Sequence, residues 1–285
     1  MRTTQGKVLA GVAAVFLASF VFRFLNPEFE MEQFIRLVGA RQILNGELPD
    51  RDFLNRGYTG MYYAAAAAMA AFGDGMLGDL VLTSSFISIG AALTWYLSFQ
   101  ASSSVAVACI ATLFAVAYFP YSYNYPKVFL PVLGLVVVWR YLDRRSIGRL
   151  LAVCATIVVA IVFRHDHGMY LGLAMIAMLA SAHLPDMAKF SRRVVIAVLG
   201  VLMLGSPYIA VLVVTGRLVP HVQTSLWQGG SLVDGVTVSR IPLDIDLSQP
   251  LVSRVAPTIN VRWGEGVNDE PRREREAFHR LVNGV

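Results

Sequence analysis

Apolar runs at residues 8–25, 58–72, 78–99, 103–118, 126–139, 149–163, 168–184 and 194–215 follow one another, with short polar breaks after the second. About 18 such residues suffice to cross a hydrocarbon layer roughly 30 Å thick, because a helix rises about 1.5 Å per residue. A chain patterned this way must either enclose every run in a very large core or place the runs in lipid. Composition decides between these: 56% of the residues are AVILMFWYC and 15% are charged, against about 25% charged in soluble domains. The expectation is an all-α integral membrane protein over residues 1–215, a polytopic helical bundle of about seven or eight apolar segments. Runs 58–72, 103–118 and 126–139 are short and need flanking residues to complete a crossing.

Charge sets the orientation. Arg140, Arg144, Arg145 and Arg149 stand against Asp143, and Lys189, Arg192 and Arg193 against Asp186; both segments read as cytoplasmic, as does the N-terminus with Arg2 and Lys7. The end of the first run, Phe22-Arg23-Phe24-Leu25-Asn26-Pro27, lacks a small-residue cleavage site, which makes it a retained anchor. The loop 26–57 carries Glu28, Glu30, Glu32, Glu47, Asp50 and Asp52 and falls outside. So does Arg164-His165-Asp166-His167, reached by the exit of run 149–163. Four crossings between Tyr58 and Trp139 would put the Arg140 segment on the wrong side, so one of those runs fails to span. Pro120, Pro126 and Pro131, amid Tyr118, Tyr121, Tyr123 and Tyr125, place the break within 103–139.

Residues 216–285 hold no span-length run and form a small polar extracytoplasmic region, with a short strand expected over 258–263 and a helix over 271–282. They end without an evident domain closure, as a truncated longer chain would. Cys109 and Cys154 both sit in apolar runs, which argues against a structural disulfide.

Several groups carry potential chemistry. Met31, Phe34, Ile35 and Val38 follow helical spacing, so an amphipathic helix lies along the membrane surface after Pro27. Its polar side presents Glu28 and Glu32. A carboxylate beside a low-dielectric surface can act as a general base towards a hydroxyl; the alternative is an ion pair of Glu32 with Arg36 one turn on. Arg164 offers bidentate phosphate recognition with Asp166 orienting it, or else an interfacial cap. His165 and His167 flank Asp166, but their spacing is not a helical chelate and no metal is assigned. Lys127, amid tyrosines, can bind a lipid phosphate or anchor the helix at the interface. Asp50-Arg51-Asp52 and Asp244-Ile245-Asp246 are weak divalent-cation strings. His183, His221 and His279 show no partner in the sequence, and 64–68 is a run of alanines suited to close helix packing.

The order of these features, with Glu32-Gln33, Ala40-Arg41-Gln42-Ile43-Leu44-Asn45-Gly46, Leu48-Pro49-Asp50-Arg51-Asp52-Phe53 and Ala71-Phe72-Gly73, resembles the GT-C superfamily of membrane glycosyltransferases. That superfamily includes protein O-mannosyltransferases and enzymes that glycosylate lipid A. The likeness is to an acidic pair followed by A-R-x-L-L-x-G, P-Y-x-D-F and F-G, and it is strongest over 1–99. It implies Glu32 as the catalytic base, with Glu30 the second choice, although glutamate stands where aspartate is usual. It further implies inverting transfer of a sugar from a polyprenyl-phosphate donor to a hydroxyl acceptor, on lipid, polysaccharide or protein. The reaction would occur at the outer face of the cytoplasmic membrane, without nucleotide or redox cofactor and with a divalent cation left open. The departing phosphate needs a positive partner: Arg164 first and Lys127 second, with Asp166 in support. Asp52, His165 and His167 are further candidates. Members are generally longer, so the chain is expected to be an N-terminal fragment. The alternatives are a transporter or flippase of lipid-linked intermediates, or an inert assembly subunit.

Overall fold

The computed structural model describes residues 2–27, 31–53, 55, 58–73, 75–118 and 125–222, without the side chains at 2–5, 7, 31, 32 and 118. They lie in one compact unit, Met1–Gly235; a second unit is Val236–Val285. Glu28, Glu30, Pro120, Tyr121, Tyr123, Asp244, Asp246, His279 and the elements expected over 258–263 and 271–282 fall outside the described residues.

Among those residues the fold is all-helical, with α1 (Arg2–Leu25), α2 (Met31–Leu44), α3 (Thr59–Phe72), α4 (Met76–Ser102), α5 (Val105–Tyr118), α6 (Tyr125–Asp143), α7 (Ile147–Phe163), α8 (His165–His183) and α9 (Met187–Val214). Four stretches are long and apolar enough to cross a membrane: Val8–Leu25, Met76–Ser102, Tyr125–Asp143 and Met187–Val214. Helices Val105–Ala117 and Ile147–Phe163 are apolar but shorter. Half of the α4 stretch is buried, against 11% of the α1 stretch and 17% of the α9 stretch, so α4 lies inside the bundle while α1 and α9 present apolar flanks. Leu17, Phe114 and Met203 are among the large side chains left exposed. Continuous apolar surface of this kind calls for lipid.

At one end, the basic end, three tight turns connect the helices. Ser103 adopts a left-handed conformation, φ 55°, and closes α4. The side chain of Ser146 accepts from the Arg149 N–H at the start of α7, and Asp186 from the Lys189 N–H at the start of α9. Such caps satisfy the free N–H groups of a helix start, letting one helix begin soon after another ends. Arg145 donates to the Ala182 carbonyl, Arg193 to the Arg145 carbonyl, and Tyr141 meets His183 at 2.9 Å. Above these turns Tyr141, Leu150, Cys154, Ile157, Leu179 and Ala197 form the main core of α6–α9.

The opposite, acidic end collects the described residues of the segment 26–58 and what they touch. Arg23 of α1 donates to the Val116 carbonyl of α5 at 3.0 Å. Arg36 of α2 pairs with Asp79 in the first turn of α4, and Tyr125 of α6 meets Phe163 of α7 edge-on. Both ends of α3 are here. A Cβ at Gly60 would come within 2.9 Å of Phe163, and one at Gly78, in the first turn of α4, within 2.7 Å of the Ala68 carbonyl. The 14 residues of α3 span only about 21 Å, and the chain leaves and returns at the same end.

The break expected within 103–139 centres on residues 119–124, with Pro120, which lie outside the described residues. On either side of them, α5 starts beside the end of α4 and finishes against Arg23, while α6 runs unbroken through Pro131. Pro126 sits in the first turn of α6, where a missing N–H leaves no helical bond unmade.

Candidate functional site

The acidic end is built from local turns upward. Asp52 accepts from the Leu48 N–H at 2.7 Å and takes both Arg51 nitrogens. Hydrogen bonds from Arg51, then from Leu48, hold its carboxyl below the usual range. It closes its own turn, and its charge also acts on Arg217. Asp50 does the opposite: a left-handed backbone, φ 66°, which aspartate tolerates better than most residues, turns its carboxylate inward until the side chain is 1% exposed.

Asp50 Oδ2 accepts from Asn55 at 2.8 Å and meets His221 Nδ1 at 3.1 Å. Because a carboxylate only accepts, Nδ1 carries the proton. The other ring nitrogen faces the Tyr208 hydroxyl at 3.4 Å, and that hydroxyl donates to Thr59 Oγ1 at 3.1 Å. Asn55 also donates to Thr59 Oγ1 at 2.6 Å and accepts from the Tyr58 N–H at 3.0 Å, leading the loop into α3. Asp50 Oδ1 is buried without a hydrogen-bond partner among the described residues. An open pocket of about 430 Å³ adjoins this chain of groups, walled by Gly60, Tyr63, Val162, Phe163 and Val211, with Thr59, Tyr208 and Arg217 supplying its polar groups.

Arg164 caps α7 and precedes α8. Its Nε and Nη2 donate to Asp166 Oδ1 and Oδ2 at 3.1 and 2.7 Å, and its guanidinium lies 5.0 Å from the Tyr58 ring centre. Burial opposes both charges, but the paired hydrogen bonds outweigh it: Arg164 is held above its ordinary pKa and Asp166 below. Burial first, then Arg164 and Lys127, push the His167 imidazole down despite Asp166, so Lys127 and Arg164 reach the same locality. His165 Nδ1 has no hydrogen-bond partner among the described residues. Among the described residues no group of three His, Cys, Asp or Glu side chains could hold a metal ion.

Glu32 falls in the first turn of α2, and Glu30 lies outside the described residues. One turn after Glu32, Arg36 makes a bidentate pair with Asp79 at 2.9 and 2.7 Å, both side chains almost fully buried. Arg36 also lies 5.4 Å from the centre of the buried Tyr125 ring. Tyr125 packs against Phe163, which precedes Arg164, so α2 is fastened to the end that carries Arg164, Asp166 and Lys127.

Two histidines without partners in the sequence acquire them: His221 joins Asp50 and Tyr208, and His183 joins Tyr141. Asn55, Thr59, Tyr208 and Arg217 are the groups that sequence reasoning missed, and Asp50 was singled out there only as part of a weak divalent-cation string. Their contacts cross up to 171 positions; the only local signal was a second acid two residues before Asp52. What fold and site together define, among the described residues, is an all-helical bundle with four helices able to cross a membrane and an ionic layer gathered at one end. Comparisons with protein-family models, curated proteins and solved structures return no match.

Proposed function

We propose that this chain is a GT-C-like membrane glycosyltransferase that moves a sugar from a polyprenyl-phosphate donor to a hydroxyl acceptor. The observation that carries the reading is the fastening of α2, which opens on Glu32, to the end of the bundle bearing Arg164, Asp166 and Lys127. A base and a phosphate anchor are far apart in sequence yet share one end.

The orientation follows from charge. Arg140, Arg144, Arg145, Arg149, Lys189, Arg192 and Arg193 gather at the basic end, which faces the cytoplasm on the positive-inside rule. With α2 and α3 held at the acidic end, α1 and α4–α9 make seven crossings, and the N-terminus, the Ser103 turn, the Arg140–Arg149 turn and the Asp186 turn all fall inside. The parity conflict of the eight-run count disappears.

In the reaction, the Glu32 carboxylate takes the proton of the acceptor hydroxyl. The oxygen forms a bond to the anomeric carbon from the face opposite the phosphate, and the carbon–oxygen bond to phosphate breaks. The phosphate leaves with the bonding pair and its lipid, neutralised by Arg164, which Asp166 orients, and by Lys127. The stereochemical result is inversion.

The test is transfer of radiolabelled sugar in membranes, comparing wild type with Glu32→Gln, Glu30→Gln and Arg164→Ala at matched expression. Loss in Glu32→Gln and Arg164→Ala, with Glu30→Gln retaining most transfer, is expected. Undiminished transfer in the first two overturns the assignment.

A further inference from the structure

We propose that the two basic turns at the end of the bundle away from α2, those joining α6 to α7 and α8 to α9, hold the headgroup of an anionic phospholipid, with Arg144, Arg145 and Arg192 as its partners. Arg140, Arg144, Arg145 and Arg149 surround the first turn with Asp143, and Lys189, Arg192 and Arg193 follow the second with Asp186. With both acids counted, the two turns carry an excess of five positive charges. The same side chains stitch the turns together: Arg193 Nη2 donates to the Arg145 carbonyl at 3.2 Å, and Arg145 Nη1 to the Ala182 carbonyl at 2.8 Å. The charges of Arg145 and Arg193 both act on Tyr141 and on His183, so two guanidiniums share one locality. Asp186 acts on His183 too, but its carboxylate is taken at 2.9 Å by Lys189, the one ion pair at this end among the described residues. The arginines bond to neutral groups instead, Arg149 to the Arg140 carbonyl and Arg140 to the Tyr96 hydroxyl. Arg193 Nη1 is buried and has no acceptor among the described residues. Arg144 and Arg192 are exposed, and no described residue bonds to either guanidinium.

Like charges gathered in this way call for a counter-ion, and the surface beside them says which kind. Arg192, Val195, Leu199 and Met203 recur at i, i+3, i+7 and i+11 and so share one face of α9. The three apolar members of that face are exposed. On α7, Ile147 and Leu151 are exposed one turn apart, on either side of Arg149 in sequence. A phosphate held at Arg192 therefore has apolar surface leading away from it along the same helix face. An acyl chain covers that surface; a soluble anion or an acidic protein loop leaves it bare. The guanidinium fork offers two donors at once to phosphate oxygens, and each arginine at the membrane surface adds to the attraction for anionic headgroups. A basic end by itself sets orientation, whereas a site requires that particular arginines matter beyond their charge. The proposal concerns the end away from Arg164 and rests on none of the transferase reading.

The test is native mass spectrometry of the purified full chain in detergent with equal amounts of dioleoyl phosphatidylglycerol and dioleoyl phosphatidylcholine, which differ only in headgroup. Wild type is expected to retain phosphatidylglycerol at least about tenfold over phosphatidylcholine. Arg144→Gln with Arg192→Gln, which removes no side-chain hydrogen bond made within the described residues, is expected to lower that preference at least about fivefold while phosphatidylcholine retention stays unchanged. Arg2→Gln with Lys7→Gln takes the same charge from the N-terminus and is expected to keep the preference within about twofold of wild type. Equal retention of the two lipids by wild type, or an unchanged preference in the arginine pair, would overturn the site. An equal fall in both pairs would overturn it as well, because charge summed over the whole end would then be the cause. Displacement of the lipid by an equal concentration of glycerol 3-phosphate would contradict the phospholipid as occupant and point to a soluble anion.

Discussion

At the scale of single residues, the acidic end is held by buried charge whose value depends on its partner. Arg36 and Asp79 sit almost fully buried in a two-point ion pair. Removing one partner leaves the other charge stranded, at a cost of about 3–5 kcal/mol, whereas replacing both by apolar groups of similar size is close to neutral. Arg36→Ala is therefore expected to lower the unfolding free energy in detergent by about that amount, and Arg36→Met with Asp79→Leu to recover most of it. A second residue-scale expectation concerns acid. His167 is held below its ordinary pKa, chiefly by burial, so the unfolded chain binds a proton there that the folded chain resists. Stability must then fall as pH drops below about 6.5. Asp166, also depressed, acts in the same direction further down: its contribution is full above the unfolded carboxylate value and is lost as pH falls through the lower folded one. Melting between pH 7.5 and 5 should show a decline that is smaller in His167→Gln; an identical decline in that variant contradicts the account.

At the scale of elements, the sequence made most helices legible, because an apolar run bounded by charge has few alternatives in lipid. The pairing of Arg164 with Asp166 was legible too, since two positions separate them. What stayed hidden was the exception in the pattern. Helix α3 is as apolar as its neighbours, with its alanines packed on α2 and the start of α4, so hydropathy alone counts it as a span. The prolines of α6 do not interrupt it: one lies in the first turn and the other is absorbed within the helix. Asp50–His221 and Arg217–Pro49 could not be read either, because each joins segments more than 160 positions apart through a left-handed turn or a short segment after α9. Single cysteines at Asn45, Gly73 and Ser103, placed in a Cys109→Ser, Cys154→Ala background, test α3 directly. An impermeant thiol reagent should label the first two from one side of the membrane and the third from the other. Labelling of Gly73 from the Ser103 side would make α3 a crossing.

At the scale of the whole molecule, α2 and α3 pack at the end of the bundle that carries the proposed base and its proposed phosphate partners. Gly60 is a test of how much that packing matters. A side chain there meets Phe163 and the Val162 carbonyl, and packing of this tightness yields only by moving a helix. Gly60→Leu is expected to reduce sugar transfer at least tenfold, about 1.4 kcal/mol in barrier, while the protein remains folded by size-exclusion chromatography. Transfer at the wild-type rate would show that the contact between α3 and α7 does not shape the site. The central claim is that the sugar leaves its lipid phosphate during the reaction. It is tested most directly by supplying a doubly labelled polyprenyl-phosphate sugar to membranes and counting freed polyprenyl phosphate against glycosylated acceptor. The account predicts one lipid phosphate freed per sugar moved, both lost in Glu32→Gln. Movement of the intact lipid-linked sugar across the membrane, with no phosphate freed, would contradict it and identify a transporter.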